Sequence, residues 1–293
     1  MNLQTWSIGL ATAASPLALQ AGVSARPILT AADIDDVDAG FVADPFLLFY
    51  RNGWYLFFEV WNRAADKGEI AFARSADLTD WIYGGVVLRE PWHLSYPHVF
   101  AHDGAIWMLP EAAEGDGARL YRAAAFPREW RAEALLIERP LADPTPLAWQ
   151  DAWYLFASSR FVEHDDLVLY AAPNLHGPWR EHAASPIRRG DRRRSRPAGR
   201  ILVDGGLPLR WAQDCHPTYG TAVRAFAIET LTATQFSEHE LGRVLGPGAM
   251  NWNRDGMHHI DAHRLNGTRP MTGTAPLWTA AVDGCRLDSC AAP

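Results

Sequence analysis

Four stretches of this chain lie naturally under one another: "ADPFLLFYRNGWYLFFE" (43–59), "SYPHVFAHDGAIWMLPE" (95–111), "ADPTPLAWQDAWYLFAS" (142–158) and "RPAGRILVDGGLPLRWAQD" (196–214). Each has a proline near its start, a short apolar strand, a polar or glycine turn, and a second apolar or aromatic strand. The prolines stand at 45, 97, 144 and 197, at intervals of 52, 47 and 53. A second marker keeps step with them: "SADLTDW", "AAAFPREW" and "APNLHGPW" place Trp81, Trp130 and Trp179 at intervals of 49. A fourth copy of that marker, "ETLTATQF", ends in Phe236, and a fifth inner strand fits "GMHHIDAHRLNG" followed by "LWTAAVDG". A period near 50 residues with several short strands per unit predicts a β-propeller, one four-stranded blade per repeat. The expected fold is all-β: one five-bladed propeller over 1–293, with blades starting near 42, 94, 141, 195 and 256. The fifth blade has too few strands downstream, so the N-terminal segment ("WSIGLA" or "PILTAADI") is expected to complete it and remove the free sheet edges.

In a propeller the first strand of each blade lines a central channel and starts at one of its mouths. The residue before each aligned proline is Asp44, Tyr96, Asp143 and Arg196, and in the fifth blade His258 and His259 fall in the comparable region. An Asp-Pro turn device would explain one such aspartate. It does not explain polar residues of different types at equivalent points, which instead predict a shared polar pocket. A second layer comes from the second strands. Glu59 and Glu111 each lie 14 residues after their proline, and Gln213 and Asp214 reach the matching point after a longer hairpin. A carboxylate ending an apolar strand needs solvent or a partner. For Glu59, pairing with Arg196 or Arg200 competes with a chemical role.

Composition excludes more than it assigns. The net charge of −7 and pI near 5.9 argue against nucleic acid, and the basic run "RRGDRRRSR" (188–196) reads as a solvated loop. No apolar run approaches the ~20 residues a membrane span needs. The N-terminus has no Lys or Arg before Arg26, so it reads as mature protein and the chain as cytoplasmic. Three cysteines, Cys215, Cys285 and Cys290, without a CxxC support neither a disulfide framework nor zinc. Thirteen tryptophans and eight tyrosines fill cores but also make platforms on which sugar rings stack. In "GMHHIDAH", one strand cannot wrap its own metal, so no metal is assigned there.

The layout resembles the five-bladed propeller glycosidases that include arabinanases, xylosidases and invertase-like enzymes. Nearly the whole chain, through "FVADPFLLFY", "HLSYPHVF", "MLPE", "RPAGRI", "QDCHPTYG" and "GMHHIDAH", further resembles the N-terminal domain of plant glucosamine inositolphosphorylceramide transferases and its bacterial relatives. The first resemblance implies Asp44 as base or nucleophile and Asp143 as the residue that orients substrate and tunes pKa values. The glutamate expected at the start of the next blade is replaced by Arg196. Glu111 is then the first candidate for the acid and Asp214 the second. His93, Tyr96, His98, Arg196, Arg200, Gln213, Tyr219, His258 and His259 are expected to bind hydroxyls or an anionic substituent, and Trp252 or Trp92 to stack on a ring. No cofactor is required, although a hydrated calcium in the channel, as in some glycosidase relatives, is allowed. The expected function is inverting glycoside hydrolysis on a carbohydrate or glycoconjugate; the alternative is a non-catalytic glycan-binding propeller that serves a partner enzyme.

Overall fold

The computed structural model describes residues 3–160, 162–265 and 277–288. The chain begins with β1 (Leu3–Ala13). Blade 1 follows as the meander β2 (Ala39–Tyr50), β3 (Gly53–Asn62), β4 (Lys67–Ser75) and β5 (Ile82–Leu88). Blade 2 is β6 (Ser95–His102), β7 (Ala105–Glu111), β8 (Ala118–Ala125) and β9 (Glu129–Ile137). Blade 3 is β10 (Ala142–Trp149), β11 (Ala152–Ser158) and β12 (Asp166–Ala172), and β12 pairs with both β13 (Arg180–Glu181) and β14 (Arg188–Arg189). Blade 4 holds β15 (Leu209–Asp214), β16 (Ala222–Leu231) and β17 (Phe236–Leu245). Blade 5 is β18 (Ile260–Leu265) and β19 (Leu277–Asp288), with β1 on the far side of β19. The N-terminal segment thus closes the ring, as the strand deficit of blade 5 requires: β1 pairs with β19 from Leu3 to Ala13, and Leu29 bridges Ile8 on its outer side.

The hairpin turns follow from their residues. Arg51-Asn52 and Asp103-Gly104 form two-residue loops with positive φ throughout (47° and 65°; 47° and 71°), the primed-turn geometry whose twist matches paired strands. Because each blade is covered on both faces, the core lies between blades. Phe46, Phe57 and Phe72 of blade 1 meet Tyr96, Met108 and Tyr121 of blade 2. Leu109 and Leu120 meet Leu155 and Tyr170 of blade 3. Comparable clusters lie at each of the other interfaces. The repeat aromatics have one job: Trp81, Trp130, Trp179 and Phe236 stand at the start of the outermost strand of their blades, each packed into the interface with the preceding blade.

Blade 4 departs from expectation. Alignment predicts a regular inner strand over 196–202, yet its backbone pairs with β15 as two isolated bridges, Pro197↔Ala212 and Leu202↔Leu209. The segment is bonded on both sides: Ala198 N donates to Trp211 O (3.1 Å), while Ala198 O accepts from Ile260 N in blade 5 (2.8 Å). Gly199, at φ 133°, makes this approach possible, since a Cβ there would stand 1.8 Å from Ile260 O.

Candidate functional site

The residue before each aligned proline is built into the same device. Ala43 pairs with Glu59 and Phe46 with Phe57, so Asp44 and Pro45 oppose a single residue; blades 2 and 3 repeat this at Tyr96-Pro97 and Asp143-Pro144. Asp44, Tyr96 and Asp143 have φ of 52°, 46° and 52°, left-handed values that strain a non-glycine residue by about 1–3 kcal/mol. Such bulges re-aim side chains at the rims of sheets. The carboxylates they aim do not close local turns. Asp44 Oδ2 binds the next blade by accepting Tyr96 N (3.2 Å), and carboxylates outside the bulges make the same kind of contact: Asp283 Oδ2 accepts Asp44 N (3.2 Å) and Glu111 Oε2 accepts Asp143 N (3.0 Å).

Two sub-clusters result. In the first, Asp283 Oδ2 lies 2.7 Å from His258 Nδ1, and His258 Nε2 lies 3.6 Å from Asp44 Oδ1, with His259 Nδ1 also at 3.6 Å. Asp283 Oδ1 accepts the backbone N–H groups of His258 and His259 (3.1 and 3.0 Å). Among the described residues, Asp44 Oδ1 has no hydrogen-bond partner although it is buried. Burial pushes the Asp44 carboxyl up to about 7, against the pull of His258. Burial also works against charge on His258 and Asp283, but their mutual attraction prevails, so His258 is raised and Asp283 lowered.

In the second, Arg196 Nε donates to Asp143 Oδ2 (2.5 Å) and Arg196 Nη2 to Glu111 Oε2 (3.3 Å), while Gln213 Nε2 donates to Asp143 Oδ2 (2.9 Å). Burial opposes the Arg196 charge, but Asp143, Tyr219 and Glu111 hold the guanidinium above its ordinary value. Tyr219 lies under Arg196, 5.3 Å from ring centre to guanidinium carbon, and 5.2 Å from the His258 ring.

Glu59 stands between the two. Its expected partners are engaged elsewhere, Arg196 as described and Arg200 with Asp261 (2.8 Å); its nearest ionic neighbour is His93 Nε2, at 3.7 Å. Burial first, then repulsion from Asp44, Glu111, Asp283 and Asp143, raises Glu59 well above the ordinary glutamate value. Burial and these neighbours favour its protonated form.

Several expected site residues are placed otherwise. Glu111 Oε2 already accepts from Arg196 (3.3 Å) and from the Asp143 N–H (3.0 Å), which turns it toward blades 3 and 4 rather than toward a ligand. Asp214 binds Arg224 (2.8 Å) and the His216 N–H (3.1 Å). The Tyr96 hydroxyl turns inward, bonded to Thr145 (2.7 Å) and to Gly199 N (2.7 Å), and so ties blades 2, 3 and 4 together across the channel instead of facing a ligand. His98 and Arg200 lie deeper, where Arg200 reaches His98 Nε2 (3.3 Å) and the Val99 carbonyl (2.8 Å). The strand rises ~3.3 Å per residue, so His98 and Arg200, two and four residues into their blades, leave the mouth. His259, with no exposed surface, packs between Phe46 and Tyr96. Trp252 covers Gly9 and Gly284 on blade 5, where a Cβ would come within 2.5 Å of its ring, so it does not stack at the mouth. Asp283 was missed: its strand was recognised, but the spacing through 266–276 hid its register.

At the depth of Asp261 the channel's donors are already engaged. The Arg200 guanidinium already bonds both Asp261 oxygens (2.8 and 3.3 Å) and supplies the positive charge. Asp44, His258 and Asp283 do bring donor atoms within 4.8 Å of one another, but Asp283 is committed to the imidazole and to backbone N–H groups.

The raised Asp44 carboxyl has a stability consequence. Folded, it holds its proton up to about 7, whereas its ordinary value is 3.8, so its contribution is full below pH ~4 and is lost as pH rises through 7. Asp44→Asn is therefore expected to be more stable relative to the parent at pH 8 than at pH 5, by on the order of 1–3 kcal/mol. Urea melts at the two pH values check this; an equal difference at both would contradict it.

Five blades, a ring closed by the first strand and a carboxylate-rich mouth give the propeller fold seen in glycoside hydrolases. Similar solved structures include a thermostable family-43 glycoside hydrolase (13% identity, 87% of this chain and 92% of that one, TM-score 0.60). Another is the catalytic domain of the Coprinopsis cinerea GH62 α-L-arabinofuranosidase (12% identity, 82% and 90%, TM-score 0.59). The sequence is more specific. The chain belongs to the family described as glucosamine inositolphosphorylceramide transferase 1, N-terminal, which it matches over residues 2–284. It is 36% identical over 310 residues to the glucosamine inositolphosphorylceramide transferase 1 of Oryza sativa subsp. japonica, covering 97% of this chain and 40% of that protein. The Arabidopsis thaliana protein of the same name is 32% identical, with 98% and 40% covered. The chain thus spans about 40% of the length of these plant relatives. No helix among the described residues is long and apolar enough to cross a membrane.

Proposed function

We propose that this propeller is a carbohydrate-active enzyme that breaks a glycosidic bond of a glycoconjugate at the channel mouth, with Asp44 as base and Glu59 as acid. The observation that supports it is the pairing of two differently poised carboxyls: Asp44, with one unpartnered oxygen and a pKa near 7, and Glu59, kept protonated by burial and by its acidic neighbours. Titratable pairs whose environments differ are how acid and base roles are divided. A water attacks the anomeric carbon and gives its proton to Asp44 Oδ1; the carbon–oxygen bond breaks, and Glu59 gives its proton to the leaving oxygen. Asp283 holds His258 against Asp44, steadying the anion before attack. Arg196 and Gln213 fix Asp143 as an orienting residue. The resemblance to arabinan- and xylan-hydrolysing propellers, together with a water-mediated attack, makes inversion the expected stereochemistry.

The test is incubation with a panel of aryl glycosides and glycosylinositol phosphates, followed by NMR of the first product. Initial release of the inverted anomer is expected, and the retained anomer would exclude Asp44 as base. The dependence of kcat/KM on pH should rise through about 7 as Asp44 ionises and fall at higher pH as Glu59 loses its proton.

A second reading is favoured by one feature. Arg196 binds both Asp143 and Glu111 and withdraws two carboxyls from chemistry. That suits a glycan-binding module serving a partner enzyme. Sugar binding without turnover of any glycoside would select it.

A further inference from the structure

A pocket of about 590 Å³ lies beside the carboxylates, lined by blades 1 and 5 and by the loop that follows β15. We infer that it is a second sugar subsite, in which a pyranose or cyclitol ring of the substrate stacks on Trp61 and Phe41. The inference rests on the reading of the mouth as a carbohydrate site and names where the neighbouring ring sits.

Its wall carries two aromatic rings. The Phe41 and Trp61 rings are stacked, with centroids 5.8 Å apart and planes 16° from parallel, and both are only half-buried. An aromatic face left open beside polar groups suits the C–H face of a ring edged with hydroxyls. An acyl chain would not use the polar rim, where Gln4 and Thr218 line the pocket. The volume is in the range that buries a small ligand.

The pocket is continuous with the reactive groups on two sides. Trp61 and Glu59 are alternate residues of β3 and so share a face, and the Trp61 ring lies 5.7 Å from that of His93, the neighbour of Glu59. On the opposite side Tyr219 lines the pocket and touches both Arg196 and His258. A ring seated there would place its next linkage toward Glu59 and Asp44.

Two glycines keep the space open. A Cβ at Gly40 would stand 2.8 Å from Trp61 Cδ1 and displace the stacked ring. Gly220, at φ 72°, would drive a Cβ to 2.6 Å from the Trp6 ring. Both line the pocket, and neither admits a side chain without disturbing its wall.

The test uses the full chain with myo-inositol, glucosamine and octyl β-glucoside as probes, read by saturation-transfer NMR and tryptophan fluorescence. Trp61→Ala is expected to weaken ring binding at least tenfold and Phe41→Ala about three- to tenfold, while Trp61→Phe keeps most of it. Circular dichroism and thermal melts confirm that each variant is folded. Ring binding unchanged in Trp61→Ala overturns the inference. So does failure of all three probes to bind, or saturation transfer confined to the octyl chain. Failure of the proposed reaction is separable: Trp61-dependent ring binding without turnover of any glycoside leaves the subsite standing, whereas turnover with KM unchanged in Trp61→Ala removes the subsite alone.

Discussion

Replacing Asp44 by Asn is expected to lower turnover of an accepted glycoside by about 10²–10⁴-fold, the usual contribution of a positioned base, while leaving sugar affinity within a few-fold. The substitution keeps nearly the same shape, and the amide oxygen can still accept the Tyr96 N–H that now binds Oδ2 at 3.2 Å. What disappears is the proton acceptor at Oδ1 and the attraction of His258 across 3.6 Å. The loss should fall on kcat and kcat/KM together, because the proton is taken only in the transition state. Glu59→Gln is the companion. It should slow substrates with poor leaving groups far more than activated aryl glycosides, whose leaving oxygens need little protonation. Full activity in Asp44→Asn, on a substrate the parent hydrolyses, would remove Asp44 from the chemistry.

The largest stability effect is expected at Arg196. Arg196→Met strands Asp143 and Glu111, which the guanidinium holds at 2.5 and 3.3 Å; removing one partner of a buried pair costs about 3–5 kcal/mol. In thermal melts this is a fall in Tm of roughly 5–15 °C. The loss should shrink as the pH is lowered. Without the guanidinium, the Asp143 carboxyl, already raised to about 7 by burial, keeps its proton more readily when folded than when unfolded, so the variant loses stability as pH rises. Adding Asp143→Asn should restore part of the loss, since the two residues share one network. A cost below about 1 kcal/mol at pH 8 would mean that solvent reaches these carboxylates.

The ring was legible because a propeller writes itself as a repeat. Pro45, Pro97 and Pro144 mark three bulges with the same pairing, and Trp81, Trp130 and Trp179 mark three outer strands with the same packing. Blade 4 broke the pattern for a reason absent from local sequence: Ala198 bonds β15 of its own blade and β18 of blade 5 at once. In the site, which residues gather at the mouth could be read from alignment, but what each is committed to could not. Glu59 and Glu111 are equivalent in sequence. Arg196 bonds Glu111, whereas Glu59 lies against His93, and burial with acidic neighbours raises Glu59. Tyr96 and Asp44 are equivalent too, yet the longer side chain crosses the channel to Gly199 and the shorter one stays at the rim. Depth along the channel removed His98 and Arg200, a matter of a few residues of rise that alignment leaves unmarked.

The clasp between β1 and β19 also fixes how the molecule resists being pulled. The two strands run antiparallel, with Leu3 opposite Asp288 at one end of the ladder and Ala13 opposite Trp278 at the other. Tension applied through the two chain ends therefore meets the hydrogen bonds one at a time, as in a zipper, rather than loading them all in shear. Blade 5 should peel first and at low force, opening the ring before any other blade is disturbed. A load applied between two inner blades would have to break a whole interface at once.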